Sequence, residues 1–175
     1  RQVSRWTKQY LASETETIPE MDNLIEWLAD NIPDDDETSI VHGDYRLDNM
    51  IYKNHEVIGV LDWELSTLGH PIADFSYHCL SWRTQEAFWD QSKLKELGIP
   101  NEREYMDMYC ENTGKDLSKN WEFYMAFNMF KIAGILQGIL GRVRDGTASS
   151  KHAEDRGMMV YPLSEAAWNT IKENF

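Results

Sequence analysis

The segment that decides how this chain is read is VHGDYRLDNMIYKNHEVIGVLDWE, Val41 to Glu64. Two short β-prone runs, Met50–Tyr52 and Val57–Leu61, are separated by Lys53-Asn54-His55-Glu56, and Asn54 supplies the turn chemistry that folds such runs back as a hairpin. The apolar runs read as buried strand. Polar groups nevertheless crowd their ends: His42, Asp44, Asp48 and Asn49 before the first run, Asp62 and Glu64 after the second. A buried segment carries such groups only where they are satisfied or used.

The spacing of those groups suggests a use. His42-Gly43-Asp44-Tyr45-Arg46-Leu47-Asp48-Asn49 fits H-x-D-x-x-x-x-N, a loop pattern in which the Asp accepts a hydroxyl proton and the Asn holds magnesium. A tight loop would hold Asp44 at an acceptor hydroxyl and then turn, returning Asn49 to the phosphates. The hairpin would deliver Asp62 beside Asn49. An amide oxygen and a carboxylate are hard ligands of the kind magnesium shares with phosphate oxygens. Asp44 is therefore the candidate catalytic base, and Asn49 and Asp62 the candidate metal ligands. Arg46, Asp48 and Glu64 are candidates for indirect support of the site or for substrate contact. Taken singly, Asp and Asn are more often turn formers, and a His beside a strand is more often structural; the joint pattern carries the reading.

Outward from this segment the chain is helical. Arg1–Ser13 is a polar helical stretch, and Thr17-Ile18-Pro19-Glu20 has the T-x-x-E form of a capping box ahead of Met21, Leu24, Ile25 and Leu28. The acidic run Asp34–Glu37 reads as a solvated loop. After Gly69-His70-Pro71, Ala73–Trp82 is helical; Arg83–Asn101 is less regular, with a break at Gly98-Ile99-Pro100, and Arg103–Asn112 is a further helix stopped by Gly114. The longest helix, about Ser118 to Arg144, is apolar over most of its circumference and so belongs in a core. Gly134, Gly138 and Gly141 lie on one side of it and leave a groove for a neighbouring element. Ser150–Phe175 reads as helix interrupted at Pro162. The predicted class is α+β, mainly α, with a small β-hairpin carrying the catalytic and metal residues.

Composition narrows the function. With 175 residues, 42% of them apolar, the chain can bury one real core. A formal charge of −13 argues against nucleic-acid and anionic-membrane partners, which call for clustered Lys and Arg. No signal-peptide layout and no run of eighteen apolar residues is present, so an intracellular, cytoplasmic protein is expected, with a mitochondrial or peroxisomal one allowed in a eukaryote. Cys79 and Cys110 lack metal-site or CxxC spacing and read as reduced thiols. His55, His70, His78 and His152 have no ligand spacing.

HGDYRLDN, then LDWE, then GHPIADF resembles the aminoglycoside phosphotransferase and choline kinase group of kinase-like enzymes, and is most similar to the subgroup that includes kinase-like domains fused ahead of acyl-CoA dehydrogenase domains. The resemblance implies the C-terminal lobe of a protein-kinase-like fold over residues 1–175, ATP as phosphoryl donor, magnesium, and a small-molecule hydroxyl as acceptor. It also implies a site with Asp44 as base, Asn49 and Asp62 on magnesium, and His42 and Asp74 as braces. No G-x-G-x-x-G or G-x-x-x-x-G-K-[ST] occurs, and the strand Lys and its Glu partner are missing. The expectation is a fragment whose nucleotide-clamping N-terminal lobe lies upstream, and which is inactive alone. The acceptor is left open among an aminoglycoside, an amino alcohol, a sugar and a hydroxyl on an acyl-CoA; Glu86, Asp90, Glu102, Glu104, Asp107 and Glu111 could serve amines or simply form a solvated face. The alternative class is a non-catalytic kinase-like helical module that binds a partner. A magnesium-dependent hydrolase is a third, for which no nucleophile motif is found.

Overall fold

The computed structural model describes residues 1–34, 37–84 and 91–175, with the side chains of 91 and 92 outside that description. Asp35 and Asp36 of the acidic run, and Glu86 and Asp90 of the acidic set, lie outside the described residues. The chain divides into two compact units, Arg1–Pro33 with Met125–Phe175, and Asp34–Tyr124.

The first unit is helical. It contains α1 (Gln2–Ser13), α2 (Pro19–Asp30), α7 (Ala153–Met158), α8 (Val160–Asn174) and most of α6 (Trp121–Arg144). Tyr10, Met21, Leu24, Leu28, Met125, Met129 and Phe130 are fully buried. The glycine face of α6 receives α1: a Cβ on Gly141 would stand 3.3 Å from the Ser13 carbonyl oxygen, and one on Gly134 3.7 Å from Tyr10 Cβ. Buried Gln137, on the same helix, donates from Nε2 to the Ser13 carbonyl at 3.0 Å and to Thr15 Oγ1 at 2.8 Å,. It thus satisfies a carbonyl that the end of α1 leaves open. An 18-residue window of α6 is apolar enough to cross a membrane by length and composition, but 72% of it is buried inside the protein.

Two helix boundaries differ from expectation. Thr17 does not cap α2: Ile18 is the N-cap, with no side-chain bond, because Pro19 takes the first helical position. Proline fits there, since its fixed φ is already helical and its missing N–H would have no partner. For the same reason Pro162 does not interrupt the last helix. The break falls at Met159, and Pro162 lies in the first turn of α8, where an N–H is dispensable.

The second unit holds two antiparallel two-stranded sheets among its described residues. β1 (Ser39–Val41) pairs with β4 (Thr67–Gly69), and β2 (Met50–Lys53) pairs with β3 (Glu56–Val60). The β2–β3 turn is made by Asn54 and His55, both with positive φ, the pairing that matches the twist of a tight hairpin. The hairpin is not buried as its apolar runs suggested. Ile51 and Tyr52, neighbours on opposite faces of β2, are 41% and 51% exposed, and Val57 and Ile58 are 49% and 58% exposed, because among the described residues no layer closes over either face of the two-stranded ribbon.

The remaining described elements of this unit are α3 (Ile72–Cys79), α4 (Gln91–Glu96), α5 (Glu102–Thr113) and the first turn of α6. Phe75 of α3 stacks on Tyr109 of α5 at 3.9 Å and meets Trp121 at 5.6 Å,. Arg83 ties α5 to α6 through Glu102 and Glu122, and the Trp121 indole donates to Glu102 Oε1 at 2.9 Å. Asn101 and Glu104 form a reciprocal capping box on α5. Cys79 is buried and Cys110 half-buried, both as free thiols, and burial pushes the Cys79 thiol far above its ordinary range. A thiol pushed upward in this way is the opposite of a reactive cysteine, whose pKa is depressed.

Candidate active site

The loop between β1 and β2 can form because of Gly43. Its φ is +84°, and a Cβ there would come within 2.6 Å of the Leu65 carbonyl oxygen, so only glycine passes. The turn Leu47–Asn49, closed by the Asn49 N–H on the Arg46 carbonyl at 3.0 Å, then returns the chain onto itself. Asn49 Nδ2 consequently donates to both the backbone carbonyl and the Oδ2 of Asp44, each at 2.9 Å,. With the amide nitrogen directed at two acceptors, the Asn49 side-chain oxygen is turned away from Asp44.

Asp74, in the first turn of α3, holds the loop backbone. Its carboxylate accepts the N–H of His42 at 2.5 Å and that of Gly43 at 2.8 Å,. His42 is 2% exposed, and its Nδ1 accepts the Asp44 N–H at 3.2 Å, which leaves Nε2 to donate to the Leu61 carbonyl at 2.7 Å. The Leu61 N–H in turn donates to the Asn49 carbonyl at 2.8 Å. Leu61 is therefore gripped from both sides by the loop, and Asp62 is the next residue. Asp62 is exposed, adopts the left-handed conformation with φ 64° and ψ 55°, and does not use its side chain to cap the turn Trp63–Leu65 that follows. The structure thus gathers His42, Asp44, Asn49 and Asp74 into one hydrogen-bonded network and ties Leu61, the residue before Asp62, to it.

The other three candidates lie at or beyond the margin of this network. Arg46 and Asp48 form an ion pair with each other on the exposed side of the loop. Burial works against the Arg46 charge, but Asp48 prevails and raises its pKa, with Tyr77 and Asp44 also within electrostatic reach. Glu64 is exposed on the turn Trp63–Leu65, outside the network. Three of the four described members of the acidic set serve local structure: Glu102 binds Arg83, Glu104 caps α5, and Asp107 pairs with Arg103 one turn away, while Glu111 is exposed on α5. The helical region after Trp82 contains a cavity of about 180 Å3 between Trp82, Leu94 and Ile99. A run of rings leads to it from the loop: His42 to Tyr45 at 6.2 Å, Tyr45 to His78 at 5.6 Å, His78 to Tyr105 at 5.8 Å and Tyr105 to Trp82 at 5.3 Å. Burial lowers the pKa of His78, with a hydrogen bond to the Tyr45 backbone opposing it.

One residue of the network escapes a sequence reading. Tyr77 donates its hydroxyl to Asp44 Oδ1 at 2.6 Å. Its signal in the sequence is faint: it follows Asp74 by three positions, which puts both on one face of a helix.

Asp74→Ala is expected to leave two backbone N–H groups of the loop without their charged acceptor. Each such bond contributes about 1.5–3 kcal/mol, so denaturant unfolding should show a loss of about 2–4 kcal/mol. A loss below about 0.5 kcal/mol, the scale of an ordinary surface substitution, would remove Asp74 as the brace.

The sequence profile of the phosphotransferase enzyme family matches residues 1–109. A crystal structure from Ralstonia eutropha, provisionally described as an aminoglycoside phosphotransferase, superposes with a TM-score of 0.90 at 52% identity over 99% of this chain and 55% of that one. Acyl-CoA dehydrogenase family member 10 of Mus musculus is 46% identical over the whole chain, and family member 11 of Homo sapiens 42%. The chain spans only 17% and 23% of the length of these two relatives. The mainly helical architecture with its small sheets is a kinase-like fold. On the profile match and this structural likeness together, the chain belongs to the phosphotransferase enzyme family.

Proposed function

We propose that this chain supplies the base and the metal-binding half of a phosphotransferase that moves the terminal phosphoryl group of ATP to a hydroxyl of a small molecule. The observation that carries the reading is the Asp44 carboxylate, held from two sides on a loop whose backbone is itself fixed by Asp74 and His42. A side chain held in this way meets the first demand of phosphoryl transfer, which is positioning.

In this reading Asp44 orients the acceptor hydroxyl and takes its proton as the new bond forms. Asn49 and Asp62 would hold magnesium. The donor set fits: the Asn49 side-chain oxygen is turned away from Asp44, and the Asp62 carboxylate is exposed on the adjoining turn. Among the described residues no cluster of three or more His, Cys, Asp or Glu forms a closed cation cage; magnesium that shares its shell with phosphate oxygens and water needs none. Bound there, the ion would neutralise charge on the phosphate oxygens. The half-buried rings of Tyr45, His78, Tyr105 and Trp82 offer the non-reacting part of the acceptor an aromatic wall. The nucleotide clamp is assigned to sequence outside these 175 residues, in keeping with the small share of its relatives that the chain spans.

The test is magnesium-dependent ATP consumption by the full-length protein against an aminoglycoside, choline, a monosaccharide and a hydroxyacyl-CoA, with the 175-residue chain alone in parallel. Turnover by the full-length protein and little or none by the short chain is expected. Equal turnover by both would overturn the division of labour, and none by the full-length protein would overturn the reading.

A further inference from the structure

We infer that Tyr77 is a positioning residue for the proposed base, acting through its hydroxyl on Asp44; this inference rests on the phosphotransferase reading above. Among the described residues each oxygen of the Asp44 carboxylate has a side-chain donor, Tyr77 on Oδ1 at 2.6 Å and Asn49 on Oδ2 at 2.9 Å. Two donors on opposite oxygens fix rotation about the last side-chain bond. Each oxygen of a carboxylate retains a further lone pair, so an acceptor hydroxyl can still approach. Remove Tyr77's hydroxyl and only the Asn49 side remains held.

The placement of Tyr77 makes this a property of the fold. Asp74 and Tyr77 are three residues apart on α3, hence on one face. From that face Asp74 holds the loop backbone at His42 and Gly43, while Tyr77 holds the carboxylate that the loop presents. A single helix thereby fixes both the path of the loop and the direction of its functional group. Tyr77 is a persistent donor: burial, then the hydrogen bond and charge of Asp44, push its pKa far above the ordinary tyrosine range, and the nearby Arg46 only partly opposes them. A structural role alone would require only that the phenol find some partner. Positioning requires that its loss act on turnover, and through Asp44.

The experiment compares the full-length wild type, Tyr77→Phe, Asp44→Asn and the double variant. Phosphate release from MgATP with water as acceptor is the probe, with melting temperature measured alongside. Tyr77→Phe keeps the ring and should melt within a few degrees of wild type, with KM for ATP within about twofold and kcat lowered about 10- to 100-fold, the scale of a misplaced reacting group. In the Asp44→Asn background the same change should alter kcat less than about twofold, because the two residues act as a unit. Unchanged kcat in Tyr77→Phe or an equal loss in both backgrounds would overturn the inference while leaving the phosphotransferase reading intact. A wild type that neither hydrolyses ATP nor phosphorylates any acceptor overturns both.

Discussion

Asp44→Asn in the full-length protein is expected to lower kcat for phosphoryl transfer by two or more orders of magnitude, the usual scale for a general acid–base group, with KM for ATP little changed. The substitution preserves shape, so the loss comes from chemistry and orientation. An asparagine amide cannot take the acceptor proton. It also disturbs the donors around it, because Oδ2 of Asp44 faces the Asn49 amide nitrogen. An amide group placed there would set donor against donor. The simplest relief turns the new amide nitrogen toward Tyr77, whose hydroxyl can accept as well as donate. The variant should therefore fold, with a melting temperature near that of the parent. Parental turnover in a folded Asp44→Asn protein would remove Asp44 from the role of base.

Asp62→Ala is expected to abolish magnesium-dependent turnover. Asp62 is the carboxylate of the proposed metal pair, and the amide oxygen of Asn49 alone is a weak ligand for an ion that prefers charged oxygen donors. The backbone complicates the interpretation, because Asp62 adopts the left-handed conformation at φ 64°. Alanine there costs about 1–2 kcal/mol in steric strain, whereas asparagine visits the region readily. Asp62→Asn is thus the companion variant: it retains the backbone and removes the charge. Both variants should lose the rise in melting temperature that magnesium and ATP together give the wild type through binding to the folded state. Only alanine should lower the melting temperature of the unliganded protein. Wild-type protection by magnesium and ATP in Asp62→Asn would take Asp62 out of the metal site.

Much of the candidate site is visible in the order of residues. The spacing of His42, Asp44 and Asn49, the hairpin turn at Asn54 and the later carboxylates Asp62 and Asp74 are one-dimensional patterns with mechanical causes. The helix stop at Gly114, which has positive φ, is equally local. Tyr77 was not visible, because its hydroxyl reaches Asp44 across 33 positions and a tyrosine on a helix is far more often packing than partner. The same holds for Gln137, a polar residue in an apolar helix whose purpose appears only once Ser13 and Thr15 come beside it.

The failures share a cause. Residue type alone suggests a cap at Thr17 and a break at Pro162, whereas the places of Pro19 and Pro162 within the first helical turn decide both boundaries. Apolar residues alone suggest a buried hairpin, but burial depends on whether another layer covers the ribbon, and periodicity cannot count layers. By itself the sequence determined the elements, the loop pattern and the family, because backbone propensity and spacing are local properties of the chain. Tertiary structure alone decided which groups hold Asp44 and where its carboxylate points, because hydrogen bonds between residues more than thirty positions apart exist only once α3 has packed against the loop.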